Sequence, residues 1–137
     1  MTGKVFVDTN IFVYAALKPQ DSPEKWRTAV ELLEGIGTFF VSTQVLNEFS
    51  SVLLRKKITD NAIKDRVEGI AADSTVTVIT IETIRHAWEL RINHKFSYWD
   101  SLIVASALQA GCTTLYTEDL NHGMIVDKKL HIVNPFH

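Results

Sequence analysis

Lys4-Val5-Phe6-Val7-Asp8-Thr9-Asn10 decides how this chain is read. Three β-formers in a row end abruptly in a carboxylate, and a helix-like apolar run, Ile11 to Leu17, begins at once. A strand this apolar, followed by helices, fits the interior of a parallel sheet better than a half-exposed antiparallel one. In open α/β sheets, ligands bind outside the carboxyl ends of the strands, where the topology changes direction. Asp8 is expected at that edge. Helix capping is the plainer role for the same residue, because Asp, Thr and Asn all favour caps and turns.

Outward from this strand, the sequence alternates strands and helices. Ser22 and Pro23 open a helix carrying Trp26, Ala29, Val30, Leu33 and Ile36 at helical spacing, closed by Gly35 and Gly37. Phe39-Phe40-Val41 reads as a strand, and Ser42 or Thr43 caps a helix to about Lys57. Thr59 caps another, with Ile63, Val67, Ile70 and Ala71 on one face. Val76 to Ile79 reads as a strand. A helix from Ile81 to Asn93 is expected to bury Ile84, Ala87, Trp88 and the stem of Arg91. Ser97 caps a helix that Gly111 stops, and Thr113 to Tyr116 and His131 to Val133 complete the strands. The pattern predicts one α/β domain over residues 1–137, a three-layer α/β/α sandwich around a mainly parallel sheet.

The 137 residues suffice for one domain with a sizeable core, and 46% hydrophobic with 22% charged residues is close to the globular average. No apolar run approaches the ~20 residues of a membrane span, and no signal peptide is visible. A lone cysteine, Cys112, excludes an internal disulfide and a cysteine-rich zinc site. A cytoplasmic location with no membrane partner is the expectation. The net charge of −2 argues weakly against nucleic acid. Setting aside Asp8, Glu48, Asp100 and Asp119 as holders of cations leaves +2 over the remaining surface.

Those four acids are the candidates for chemistry. Glu48 lies beside Phe49, with Val45 and Val52 three before and four after it, so it sits at the margin of an apolar helix face. Asp100 shares a face with Ile103, Val104 and Ala107 on a helix that is apolar nearly all round. A carboxylate turned inward there needs a cation or several donors. Asp119 follows the strand ending at Tyr116, repeating the arrangement of Asp8. The solvated-glutamate reading of Glu48, and capping for Asp100 and Asp119, are the plainer alternatives. In a parallel sheet all four positions fall on the carboxyl edge. Two unit charges ~5 Å apart cost about 3 kcal/mol at an effective dielectric of 20, so such a cluster needs protons or cations. All-oxygen ligands select Mg²⁺ or Mn²⁺, and the chemistry that needs carboxylate-held Mg²⁺ is phosphoryl transfer or phosphodiester hydrolysis.

Val7-Asp8-Thr9-Asn10, Glu48 after the helix start Ser42-Thr43-Gln44, Tyr98-Trp99-Asp100-Ser101-Leu102-Ile103 and Leu115-Tyr116-Thr117-Glu118-Asp119-Leu120 together resemble the PIN domain family. The resemblance covers essentially the whole chain and runs toward the VapC-type toxins of toxin–antitoxin pairs. It implies a metal-dependent endoribonuclease acting on single-stranded RNA, with Asp8, Glu48, Asp100 and Asp119 as metal-binding and catalytic acids. It implies Asn10 and Thr117 as supporting polar residues, a homodimer, and silencing by a cognate antitoxin. Glu118 reads as exposed or as an outer ligand. Arg55-Lys56-Lys57 suits a helix C-terminus and can also touch RNA phosphates. Trp26, Trp88 and Trp99 read as core or interface, with base stacking the lesser alternative. His86, His94, His122, His131 and His137 follow no ligand spacing and read as surface or satisfied residues. The rival functions are a haloacid dehalogenase-like phosphatase, although position 10 is Asn where that family wants Asp, and a catalytically silent PIN-like RNA-binding module.

Overall fold

A computed structural model describes residues 3–137. Strand β1 (Lys4–Val7) leads into α1 (Thr9–Ala16) and α2 (Pro23–Gly35), followed by β2 (Phe39–Ser42), α3 (Thr43–Arg55), α4 (Asp60–Asp73) and β3 (Ser74–Thr77). The second half is α5 (Ile81–His94), α6 (Tyr98–Gln109), β4 (Cys112–Tyr116), β5 (Ile125–Val126) and β6 (Leu130–Val133). The six strands form one sheet in the order β3-β2-β1-β4-β6-β5, parallel except for the β5–β6 pair. Helices flank this sheet, as the alternation of elements predicts.

The strand order fixes where a ligand can sit. From β1 the chain moves outward to β2 and β3, then returns to place β4 on the other side of β1. The β1–β4 boundary is therefore the topological switch point. Right-handed crossovers put the helices of the outward path on one face and those of the return path on the other. Accordingly, α1 packs on α2 and α3, and α3 on α4, while α5 and α6 pack mainly on each other. Phe6 and Val7 of β1, Val41 of β2 and Leu115 of β4 are fully buried at the centre. Helix α6 buries seven consecutive residues, Ser101 to Ala107, which accounts for its apolar circumference.

Several local expectations shift. The third strand runs Ser74–Thr77, two residues earlier than the Val76–Ile79 reading, because it pairs in register with β2 from Phe39↔Ser74 to Ser42↔Thr77 and ends where β2 ends. Trp88 is 51% exposed rather than buried, since the inward stripe of α5 is Thr83, Ala87 and Leu90. The short strand β5 has no strong sequence signal. Its turn into β6 uses Asp127 and Lys128, both at positive φ (51° and 61°), as a type I′ hairpin turn requires. Asp-Lys supplies that geometry without the Asn-Gly or Asp-Gly that normally announces it. Cys112 is buried, and burial pushes its thiol up to about 11, away from reactivity. Among the described residues, no helix is long and apolar enough to cross a membrane.

Candidate active site

Four elements deliver the acids. Asp8 ends β1, Glu48 lies on α3, Asp100 stands in the first turn of α6, and Asp119 follows β4. All four line one cavity of about 830 Å³ at the carboxyl edge of the sheet. The same cavity is lined by Arg55 and Lys56 from the end of α3 and by Trp99; no histidine lines it.

Asp8 is the deepest of them, at 4% exposure. Its capping role and its place in the site coincide: one carboxylate oxygen accepts from Thr9 N at 2.6 Å and caps α1, and the other accepts from Thr117 Oγ1 at 2.8 Å. The Thr117 hydroxyl, itself fully buried, also accepts from Asp119 N at 3.1 Å and Asn10 Nδ2 at 3.4 Å. It is the hub joining the end of β1 to the end of β4. Asn10 Nδ2 reaches Asp119 Oδ2 at 3.1 Å. On the far side, Thr9 Oγ1 donates to Glu48 Oε1 at 3.0 Å. Gln44, one turn before Glu48 on α3, donates through Nε2 to Glu48 Oε2 at 3.5 Å and to the carbonyl of Trp99 at 3.1 Å. That amide braces α3 against the start of α6. At Asp100, the backbone N–H donates to the Ser97 hydroxyl, so the helix cap expected from the sequence forms here too.

The electrostatics follow from this placement. Burial pushes Asp8 up to about 7, with the charges of Asp119 and Glu48 adding to the rise; the Thr117 and Thr9 hydrogen bonds oppose it. Burial is also the main cause of the raised values at Asp100 and Asp119, where the neighbouring acids contribute less. Repulsion within the cluster is thus secondary to desolvation. Among the described residues, no lysine or arginine forms an ion pair with any of the four acids. Glu118, expected at the surface, instead pairs with Lys25 at 3.0 Å and accepts from Tyr14 Oη at 2.7 Å, outside the quartet.

The donor set is oxygen only and carries no cationic partner, which fits a hard divalent ion. As the side chains stand, among the described residues no three His, Cys, Asp or Glu groups converge tightly enough to bind one ion together. The Thr9 and Asn10 bonds each occupy one oxygen, Glu48 Oε1 and Asp119 Oδ2, and leave each carboxylate lone pairs that could ligate an ion. The polar residues Asn10 and Thr117 were visible in the sequence; Thr9 and Gln44 were not. The signal for Gln44 was its spacing, four residues before Glu48 on the same helix face.

The hub can be tested alone. Thr117→Val keeps the shape but removes the hydroxyl from a fully buried position. It is expected to cost about 1–3 kcal/mol in denaturant unfolding and to raise the Asp8 pKa further, followed by carboxyl NMR. Thr117→Ser should restore both.

An α/β domain with carboxylates lining one cavity at the switch point of a parallel sheet defines a class of proteins that work on ligands at that edge. The chain belongs to the PIN domain family, which it matches over residues 5–125. That membership sets aside the haloacid dehalogenase reading. No curated protein matches the chain in sequence. Among solved structures it is similar to the Mycobacterium tuberculosis toxin VapC20, a Sarcin-Ricin loop cleaving toxin, at 20% identity and TM-score 0.71, covering 92% of this chain and 99% of that one. It is also similar to a chain of a toxin–antitoxin complex from Klebsiella pneumoniae (18% identity, TM-score 0.70, 96% and 98% covered). A third likeness is to VapBC2 of Rickettsia felis, bound to a DNA fragment from its promoter (21%, TM-score 0.65, 93% and 96%).

Proposed function

We propose that the protein is a metal-dependent endoribonuclease that hydrolyses phosphodiester bonds of single-stranded RNA, and that it serves as the toxin of a toxin–antitoxin pair. The observation that carries the reading is that Asp8, Glu48, Asp100 and Asp119 line one cavity of a PIN domain and, among the described residues, form no ion pair. In this reading the four acids hold Mg²⁺ or Mn²⁺, which when bound lowers the pKa of water and offsets charge on the scissile phosphate. The chain's own contribution is positional. Thr117 and Thr9 fix Asp8, Asn10 holds Asp119, and Gln44 and Thr9 hold Glu48. Glu48 or Asp119, each bound by neutral donors, is the group suited to orient the attacking water. Arg55 and Lys56 supply positive charge at the cavity wall for flanking phosphates.

The resemblance to VapC-type toxins extends the reading to a homodimer and a cognate antitoxin in the cytoplasm. The exposed apolar residues Trp88 and Ile92 of α5 are available for such contacts.

The test is cleavage of a labelled single-stranded RNA by purified protein with Mg²⁺, with Mn²⁺ and with EDTA. Cleavage in the presence of either ion that is lost in EDTA and in Asp100→Asn supports the reading. Tight RNA binding with no turnover under any metal would instead favour the silent binding module. Cleavage that survives EDTA would remove the metal from the mechanism.

A further inference from the structure

Trp99 is 61% exposed, although it stands next to Asp100 in the first turn of α6. It lines the same cavity as the four acids, Arg55 and Lys56. The surroundings also fix its position. Its carbonyl accepts the Gln44 amide at 3.1 Å, which ties this point of α6 to the helix that carries Glu48. Tyr98 meets its ring edge-on, with centroids 5.3 Å apart, and Trp88 of α5 lies against Tyr98 at 5.1 Å. A file of three aromatic rings thus runs from the surface of α5 to the mouth of the acidic cavity. The rings are buttressed against each other, yet the last one keeps most of its area open.

We propose that Trp99 is a platform on which one base of a single-stranded nucleic acid stacks while its phosphate lies over the acids; this rests on the nuclease reading above. The lining of the cavity matches a nucleotide part by part. A flat apolar ring suits a base, oxygen ligands suit a phosphate through a cation, and Arg55 and Lys56 suit a neighbouring phosphate. A volume of about 830 Å³ is within the range that takes a small ligand. A buttressed indole needs little further ordering when a base lands on it. Bases in a duplex are already stacked on each other, so a platform here selects unpaired strands. Because every base has a π-face, the platform discriminates paired from unpaired chains and leaves sequence choice to other contacts.

The test uses the Asp8→Asn protein, chosen as non-cleaving, in Mg²⁺. Two fluorescein-labelled probes of equal length are compared by anisotropy: a single-stranded RNA oligonucleotide, and a ribose-phosphate chain lacking every base. The expected result is about tenfold tighter binding of the base-bearing probe. Adding Trp99→Ala should abolish the difference while leaving the baseless probe unaffected, and Trp99→Phe should keep most of it. Equal affinity for the two probes overturns the platform without needing any variant at position 99. So does a Trp99→Ala effect that is equal on both probes, or one that appears as a change of oligomeric mass in light scattering with base preference intact; either would make Trp99 a protein-contact residue. Cleavage of the same oligonucleotide by wild type is followed in parallel. Cleavage without base preference leaves the nuclease reading standing and removes the platform. Base preference without cleavage does the reverse.

Discussion

Asp8→Asn is expected to abolish RNA cleavage and, in the metal-free protein at pH 8, to raise the melting temperature. The first half follows from position: Asp8 is the most buried of the four acids and the one bound to both Thr9 and Thr117. The second half follows from linkage. In the fold Asp8 is pushed up to about 7, against 3.8 for the free side chain. Below about pH 4 the group is protonated in both states and costs nothing. As pH rises toward 7 the unfolded chain releases this proton while the folded one retains it, so stability falls, and it levels off above about 7. The whole change amounts to about 4 kcal/mol. Asparagine does not titrate, and its Oδ1 can accept from Thr9 N. Its amide, however, can donate to Thr117 Oγ1 only by displacing the 3.4 Å Asn10 contact, and it leaves the Thr117 proton without its acceptor, which takes about 1–2 kcal/mol off the gain. The variant should therefore gain about 2–3 kcal/mol at pH 8, a rise of roughly 7–10 °C for a chain of this size. The gain should vanish near pH 4. Most substitutions destabilise, so the sign itself is diagnostic. A variant that melts lower than wild type at pH 8 would mean that the buried carboxylate is satisfied by its hydrogen bonds alone.

The second large effect is the response of the wild type to Mg²⁺. An ion that binds the folded cluster and not the dispersed carboxylates stabilises by mass action, about 2.7 kcal/mol at a hundredfold excess over its Kd. Protons compete for the same oxygens. Asp8, pushed up to about 7, places that competition within the working range, and the raised values at Asp100 and Asp119 act in the same direction. The Mg²⁺-induced shift in Tm should consequently be small at pH 5 and large at pH 8, and Asp119→Asn should reduce it at pH 8. Equal shifts at both pH values, unchanged by Asp119→Asn, would place the ion elsewhere on the surface.

Much of this arrangement is legible in the sequence alone. A run of β-formers ending in Asp8 has few places to go in an α/β protein, and the repetition of strand-then-acid at Tyr116 and Asp119 marks a second strand with the same polarity. Asp100 was legible because a carboxylate on an all-apolar helix has an obvious physical cost. What escaped reading depends on contacts distant in sequence. Nothing near Thr9 announces that its hydroxyl meets Glu48, 39 residues away, or that Gln44 reaches the carbonyl of Trp99. Trp88 and Trp99 were placed by their hydrophobicity in a core or an interface. The first is ruled out by their exposure, because the inward stripes of α5 and α6 were already filled by smaller residues. The hairpin of β5 and β6 was hidden by a turn built from Asp127 and Lys128 in a conformation that glycine usually supplies.

The central pair β1–β4 joins Lys4–Val7 to Cys112–Tyr116, and the hub hydroxyl of Thr117 meets an aspartate 109 positions earlier. A chain leaving the ribosome therefore carries Asp8 and Glu48 through most of its synthesis without Thr117, Asp119 or the strand that aligns them. Closure of so long a loop is a late event in folding. A chain of this topology can complete the cavity only once Thr117 and Asp119 have emerged, so anything that reads the finished cavity meets it only at the end of synthesis.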